Sequence, residues 1–232
     1  MVPLTLFNRS VIRSERSPSC PRSLPVSRTA TFDPPGGPSS TCTKVIFTPG
    51  SEGYDFALKT CHEHYAKNRD RYFMCDQYAN EHNWRAHYET TAAEIIEQTG
   101  GKLTHFVCGI GTGGTITGVG RRLKESDPRI QVIAIVPDRF PGIEGLKPLG
   151  EPGDIVPEIL DESVIDRRVG ATIDDAYEYC HRMARQGLFV GQSSGAYLKA
   201  CHTVAREDRK GLCVTVLPDI GERYFSTRLW DK

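Results

Sequence analysis

The run Leu103-Thr104-His105-Phe106-Val107-Cys108-Gly109-Ile110-Gly111-Thr112-Gly113-Gly114-Thr115-Ile116-Thr117-Gly118 sets a burst of glycines between an apolar strand and the start of a helix. Without a Cβ, glycine lets the backbone approach a ligand closely and take positive φ. The free N–H groups of the next helical turn then point at whatever lies above them, and the helix dipole favours an anion there. Thr112 and Thr115 can add hydroxyl donors. A phosphate is the natural occupant of a cup built from Gly111, Thr112, Gly113, Gly114 and Thr115. The alternative is a tight turn with no ligand.

Gly109-x-Gly111-x-x-Gly114 also matches the dinucleotide fingerprint, with Asp138 as an acid after the next strand. Three features oppose a nicotinamide enzyme. A tandem Gly113-Gly114 between threonines is unusual in that turn, the acid lies far downstream behind Pro137, and no hydride-transfer site is evident elsewhere. A second turn of the same kind follows in Phe189-Val190-Gly191-Gln192-Ser193-Ser194-Gly195-Ala196. It presents serine hydroxyls at the carboxyl end of a strand, where α/β sheets bind ligands. Taken alone, Ser193 suits a helix N-cap equally well. Cys61-His62-Glu63-His64 has metal-ligating residue types but no second ligand pair at zinc spacing. It reads as a solvated helix face, and no metal is assigned.

Together these residues resemble the cysteine synthases and cystathionine β-synthases, pyridoxal-phosphate enzymes of the tryptophan-synthase β fold. Gly111-Thr112-Gly113-Gly114-Thr115 matches the family's phosphate cup, and Ser193 matches the serine that hydrogen-bonds the pyridine nitrogen. Asp76-Gln77-Tyr78-Ala79-Asn80 and His87-Tyr88-Glu89-Thr90-Thr91 match the segment entering the large domain, where the resemblance implies that Gln77 holds the substrate carboxylate. Leu217-Pro218-Asp219 and Gly221-Glu222-Arg223-Tyr224-Phe225-Ser226-Thr227 are similar to the C-terminal signature. The loop Phe140-Pro141-Gly142-Ile143-Glu144-Gly145-Leu146 looks most like the bacterial B-like branch. The resemblance implies pyridoxal 5'-phosphate as cofactor and an amino-acid substrate with sulfide or a thiol as co-substrate. It implies β-replacement on an activated serine such as O-acetylserine, and a homodimer for the full-length enzymes. Pyridoxal phosphate supplies the electron sink. A neutral serine at the ring nitrogen favours β-elimination over transamination.

The family also needs a Schiff-base lysine in a Ser-x-Lys-x-Arg context and an Asn-containing substrate loop after it. None of the nine lysines, Lys44 to Lys232, has that context. The resemblance therefore begins near Lys44 and implies that roughly the first third of the enzyme is missing, with most of its small domain. The chain as written is then expected to be inactive, with no catalytic residue to assign. Alternatives are cystathionine β-synthase-type chemistry or a non-catalytic remnant that binds a phosphate or a partner.

The elements that must position these residues alternate from Lys44 onward. Strands are expected at Val45–Phe47, Tyr72–Cys75, Leu103–Cys108, Gln131–Val136, Val164–Ile165, Leu188–Val190 and Leu212–Leu217. Helices are expected at Tyr54–Ala66, to about Gln98 with a capping box at Thr91-Ala92-Ala93-Glu94, after Gly114, from Thr172 to about Gln186, and from about Ser194 to Arg206. Buried strands alternating with helices give an α/β class. With the resemblance, this becomes the mostly parallel three-layer sheet of fold type II pyridoxal-phosphate enzymes, a large domain (81–232) and a remnant of the small domain (44–80). Residues 1–43 hold seven of the fifteen prolines and five of the twenty arginines and read as a disordered or non-native leader. With 38% apolar residues in 232, the chain has enough for a packed core. Equal counts of 29 basic and 29 acidic residues argue against nucleic-acid or anionic-membrane partners. Eight cysteines without a CxxC pair suit a reduced, cytoplasmic setting.

Overall fold

β-branched and apolar residues crowd two short runs, and both become buried parallel strands. In the computed structural model, residues 30–32, 43–49, 52–139, 142–150, 152 and 154–231 are described. They fall into two compact units, one from Cys75 to Lys232 and one ending at Met74. In the smaller unit, β1 (Ala30–Phe32) pairs antiparallel with β2 (Thr43–Val45), and α1 spans Gly53–Ala66. The expected helix thus forms, carrying Cys61 to His64, whereas Ile46 and Phe47 lie beyond the strand. Apart from β1 and Thr43, the leader lies outside the described residues.

The larger unit is built on a four-stranded parallel sheet ordered β5-β4-β3-β6: β3 is His105–Gly109, β4 Gln131–Pro137, β5 Arg167–Ala171 and β6 Cys213–Thr215. Parallel strands covered on both faces are apolar almost throughout, and every residue of β3 is buried. α4 (Gly114–Ser126) packs on β3 and β4, and is itself covered by α2 (His82–Ala86), a π turn (His87–Thr91) and α3 (Ala92–Thr99). α5 (Ile173–Ala184) and α6 (Gln192–Glu207) form the other helical layer, with α6 against the strands. Phe106, Ile116, Leu123, Ile133 and Ile135 fill the centre.

Four local expectations change. Tyr72–Cys75 is irregular and has no strand partner among the described residues. Val164 belongs to a single 3₁₀ turn (Glu162–Val164), and the edge strand follows at Arg167. Leu188–Val190 contributes one isolated bridge, Val190 to Ile220, where a strand was expected. Thr91 caps no helix. The backbone is helical from His82 onward, and the Thr91 hydroxyl meets His87 Nδ1 at 3.1 Å. By contrast Thr172 does cap α5, in a reciprocal box with Asp175 (3.0 and 3.1 Å).

α2 and α4 touch backbone to backbone. A Cβ at Gly118 would overlap the carbonyl oxygen of Trp84 and lie 2.8 Å from Tyr88 N, so only glycine permits this approach. Gly118→Ala is expected to cost about 1–3 kcal/mol, read as a lower urea midpoint. Gly170→Ala, where an added Cβ meets nothing within 4 Å, should leave the midpoint nearly unchanged.

Candidate functional site

In chain order β3, β4 and β5 step one way across the sheet, while β6 returns to the other side of β3. The gap beyond the carboxyl ends of β3 and β6 is therefore a topological switch point, the place where such sheets bind ligands. Both glycine- and serine-rich turns lead here. The first follows β3. The second starts α6, and its partner Asp219 follows β6.

The turn after β3 forms an open cup. Gly113 takes φ +86 immediately before α4, a conformation that favours glycine. Thr117 N–H donates back to the Gly113 carbonyl (3.0 Å), and Gly114 N–H reaches Thr112 Oγ1 only at 3.5 Å. Among the described residues no acceptor meets the main-chain N–H groups of Thr112, Gly113, Thr115 and Ile116. Donors left open at a helix N-terminus are what a phosphate requires. Asn83 Nδ2 donates to Thr112 Oγ1 (3.0 Å) and to the Gln77 carbonyl (2.8 Å). Thr115 Oγ1 lies 3.2 Å from His87 Nε2. Burial lowers the proton affinity of His87, so its ring is neutral and orients the Thr115 hydroxyl without adding charge.

The second turn is closed by the protein's own carboxylate. Asp219, 8% exposed, accepts from Ser193 N–H at Oδ2 (3.0 Å) and Ser194 N–H at Oδ1 (2.9 Å). It also accepts from the Ser194 hydroxyl, and from the Tyr224 phenol at Oδ2 (2.7 Å). Burial first, and then the Asp219 charge, holds the Tyr224 phenol in its neutral form. Gly191 takes the N-cap position of α6 with no side-chain cap, so Ser193 is not the cap. Its hydroxyl has no hydrogen-bond partner among the described residues although the residue is 5% exposed. Ser193 is thus fixed by its backbone and free at Oγ, as a hydroxyl serving a ring nitrogen must be. Both turns fit pyridoxal phosphate, which would rest its phosphate on Gly111–Thr115 and its ring nitrogen on Ser193.

A loop joins the two turns. A Cβ at Gly111 would lie 2.8 Å from the Gly145 carbonyl oxygen, and one at Gly145 would lie 3.9 Å from Ser193 Oγ. Phe140 and Pro141 of that loop lie outside the described residues. Lys147 N–H donates to the Ile110 carbonyl (2.7 Å), but its ammonium is turned to the Ile155 carbonyl (2.8 Å) and the Tyr78 ring. Gln77 is exposed beside Asp76, which takes φ +37 and caps the turn by accepting from Tyr78 N–H (3.2 Å). Its backbone, through Asn83, is tied to the cup. The motifs did not assign roles to Asn83, Asp219 and Tyr224. An acid shortly after the last apolar run, in the same Leu217-Pro218-Asp219 motif, was the available signal for Asp219.

The profile of the pyridoxal-phosphate dependent enzymes matches residues 40–219. The chain is 47% identical over 193 residues to the cysteine synthase of Aquifex aeolicus, covering 81% of this chain and 58% of that protein. It is 36% identical over 189 residues to cysteine synthase B of Pseudomonas aeruginosa, covering 81% and 62%. Among solved structures it is similar to O-ureido-L-serine synthase (36% identity, TM-score 0.71, 81% of this chain and 61% of that one). It is also similar to O-acetyl serine sulfhydrylase isoform 3 of Entamoeba histolytica (30% identity, TM-score 0.69, 81% and 58%). The chain thus spans about three fifths of the length of the relatives it matches.

Asp219→Ala would strand the Ser193 and Ser194 N–H groups and the Tyr224 phenol, and is expected to cost at least about 3 kcal/mol in urea unfolding, against about 1 kcal/mol for Tyr224→Phe. His87 gives a pH signature. Its folded proton affinity is lowered, so between that value and the ordinary one of about 6.5 the unfolded chain binds more protons. Stability is therefore lost as pH falls below about 6.5, and His87→Gln should flatten that decline in urea midpoints taken between acidic and neutral pH.

Proposed function

The chain belongs to the pyridoxal-phosphate dependent enzymes, and on that premise we propose that it carries the phosphate and ring-nitrogen contacts of a cysteine synthase-like enzyme. The reaction is replacement of the β-substituent of an activated serine, such as O-acetylserine, by sulfide. One observation carries the reading: an open cup of main-chain donors and an unpartnered serine hydroxyl meet at one switch point, joined by Gly145. The names of the relatives, cysteine synthases in two bacteria, support the substrate class. The reading carries a reducing, cytoplasmic setting with it, which suits the six free thiols among the described residues.

When bound, pyridoxal phosphate supplies an electron sink for the substrate's α-carbanion. The protein's part is positioning. Gly111 to Thr115 bind the phosphate through main-chain N–H groups, with the Thr115 hydroxyl oriented by neutral His87. Ser193 offers the ring nitrogen an uncharged hydroxyl, which leaves less charge in the ring than an acid would. Gln77, exposed beside the left-handed Asp76, would hold the substrate carboxylate. No lysine has the Ser-x-Lys-x-Arg context, and Lys147, adjacent to Ile110, has its ammonium turned away. We therefore assign no covalent tie between cofactor and these 232 residues.

Equilibrium dialysis tests the cup. Pyridoxal phosphate should be retained about tenfold or more tightly than pyridoxal, and Gly113→Asp should remove the difference. Ser193→Ala should weaken retention about tenfold. Equal retention of the two compounds would refute the phosphate assignment. Borohydride treatment with peptide mapping should find no stoichiometrically labelled lysine. With O-acetylserine, sulfide and saturating cofactor, cysteine should form no faster than with free cofactor. A single labelled lysine, or turnover, would overturn the inactive reading.

A further inference from the structure

Two cysteines outside the cup face one another across the joint that carries Ser193. Cys201 lies on α6 and Cys213 on β6, with their Sγ atoms 3.4 Å apart. Both are partly exposed free thiols. Thiols already in contact need only small side-chain rotations to reach the ~2.05 Å of an S–S bond. The frame around them is fixed: β6 is in register with β3, Cys213 opposite His105, and Thr215 Oγ1 donates to the Val107 carbonyl (2.7 Å). We propose that Cys201 and Cys213 form a reversible thiol–disulfide site whose oxidant is hydrogen peroxide.

The two thiols are not equivalent. The contact with Cys213, and then burial, holds Cys201 protonated, while the same contact lowers the proton affinity of Cys213. On that direction Cys213 is assigned as the nucleophile. Its thiolate attacks a peroxide oxygen, the O–O bond breaks, and water leaves after taking up a proton, giving a sulfenic acid at Cys213. Cys201 sulfur then attacks the Cys213 sulfur. The S–S bond forms, the S–O bond breaks, and the hydroxyl departs as a second water with the Cys201 proton. Two thiols are oxidised to one disulfide and one hydrogen peroxide is reduced. Buried Cys108 and Cys180, each pushed up to about 12 by burial, are poor competitors. The product would link α6 to β6 covalently, in addition to the Asp219 contact at the start of α6.

The full chain, reduced and freed of reductant, is treated with one equivalent of hydrogen peroxide, alkylated with iodoacetamide and digested. Trypsin places the two cysteines on separate peptides, 200–206 and 211–223. The expected dominant product is those two peptides cross-linked, lighter by two hydrogens than their sum and about tenfold more abundant than any other pairing. Dithiothreitol should restore both thiols, and prior unfolding in urea should abolish the preference. In Cys201→Ser, dimedone should trap a sulfenic acid at Cys213. In Cys213→Ser the cross-link should vanish without transfer of the reaction to Cys201. Both cysteines alkylated after peroxide, or pairing mainly with other cysteines, would overturn the proposal, and the wild-type map alone decides this if a variant fails to fold.

Discussion

A single buried carboxylate holds the carboxyl end of β6 to the amino end of α6. Asp219 receives two main-chain N–H groups, the Ser194 hydroxyl and the Tyr224 phenol. A buried charge is tolerable only when its lone pairs are filled in this way. The same bonds fix Ser193 with its hydroxyl turned out of the network, so one interaction serves both packing and site geometry. Gly191 has the complementary constraint: any Cβ there would strike Tyr224 and Asp219.

Two helix N-termini meet at the switch point, and they are treated oppositely. α4 begins with open donors, so its dipole is available to a dianion. α6 begins with Asp219 already in place, so its dipole is satisfied by the protein itself. A cofactor with a phosphate at one end and a basic ring nitrogen at the other needs this asymmetry. Two open N-termini would compete for the phosphate, and two filled ones would bind none. Thr115 and neutral His87 extend the donor set without adding a charge that would bias the ring.

Much of this could be read from the chain because it depends on local chemistry. Phe106–Cys108 and Val132–Val136 are unbroken apolar runs, which suit a doubly covered strand, and both strands form as expected. Thr172 and Asp175 carry the whole signal for a helix start within four residues. The glycine cup and Ser193 were legible for the same reason, since turn and helix lie adjacent in sequence. Tyr72–Cys75 and Val164 misled because apolar content says nothing about whether a partner strand exists. Thr91 misled because the helix began nine residues earlier and absorbed it through a π turn. Asn83 bonds Thr112 from 29 residues away, and Asp219 meets Ser194 across 25. Only the folded backbone brings such pairs together.

The register of β3 with β6 pairs His105 with Cys213 and Val107 with Thr215, so the pairing of the edge strand β6 bridges more than a hundred residues of chain. Its neighbour β4 follows β3 after a single helix. Contacts that close long loops form late, since the closure entropy must be met before they give any return. On a chain emerging residue by residue, the proposed phosphate cup is complete with β3, α4 and β4. The seat of Ser193 waits for β6 and Asp219, and the two halves of the site therefore have different birthdays on the ribosome.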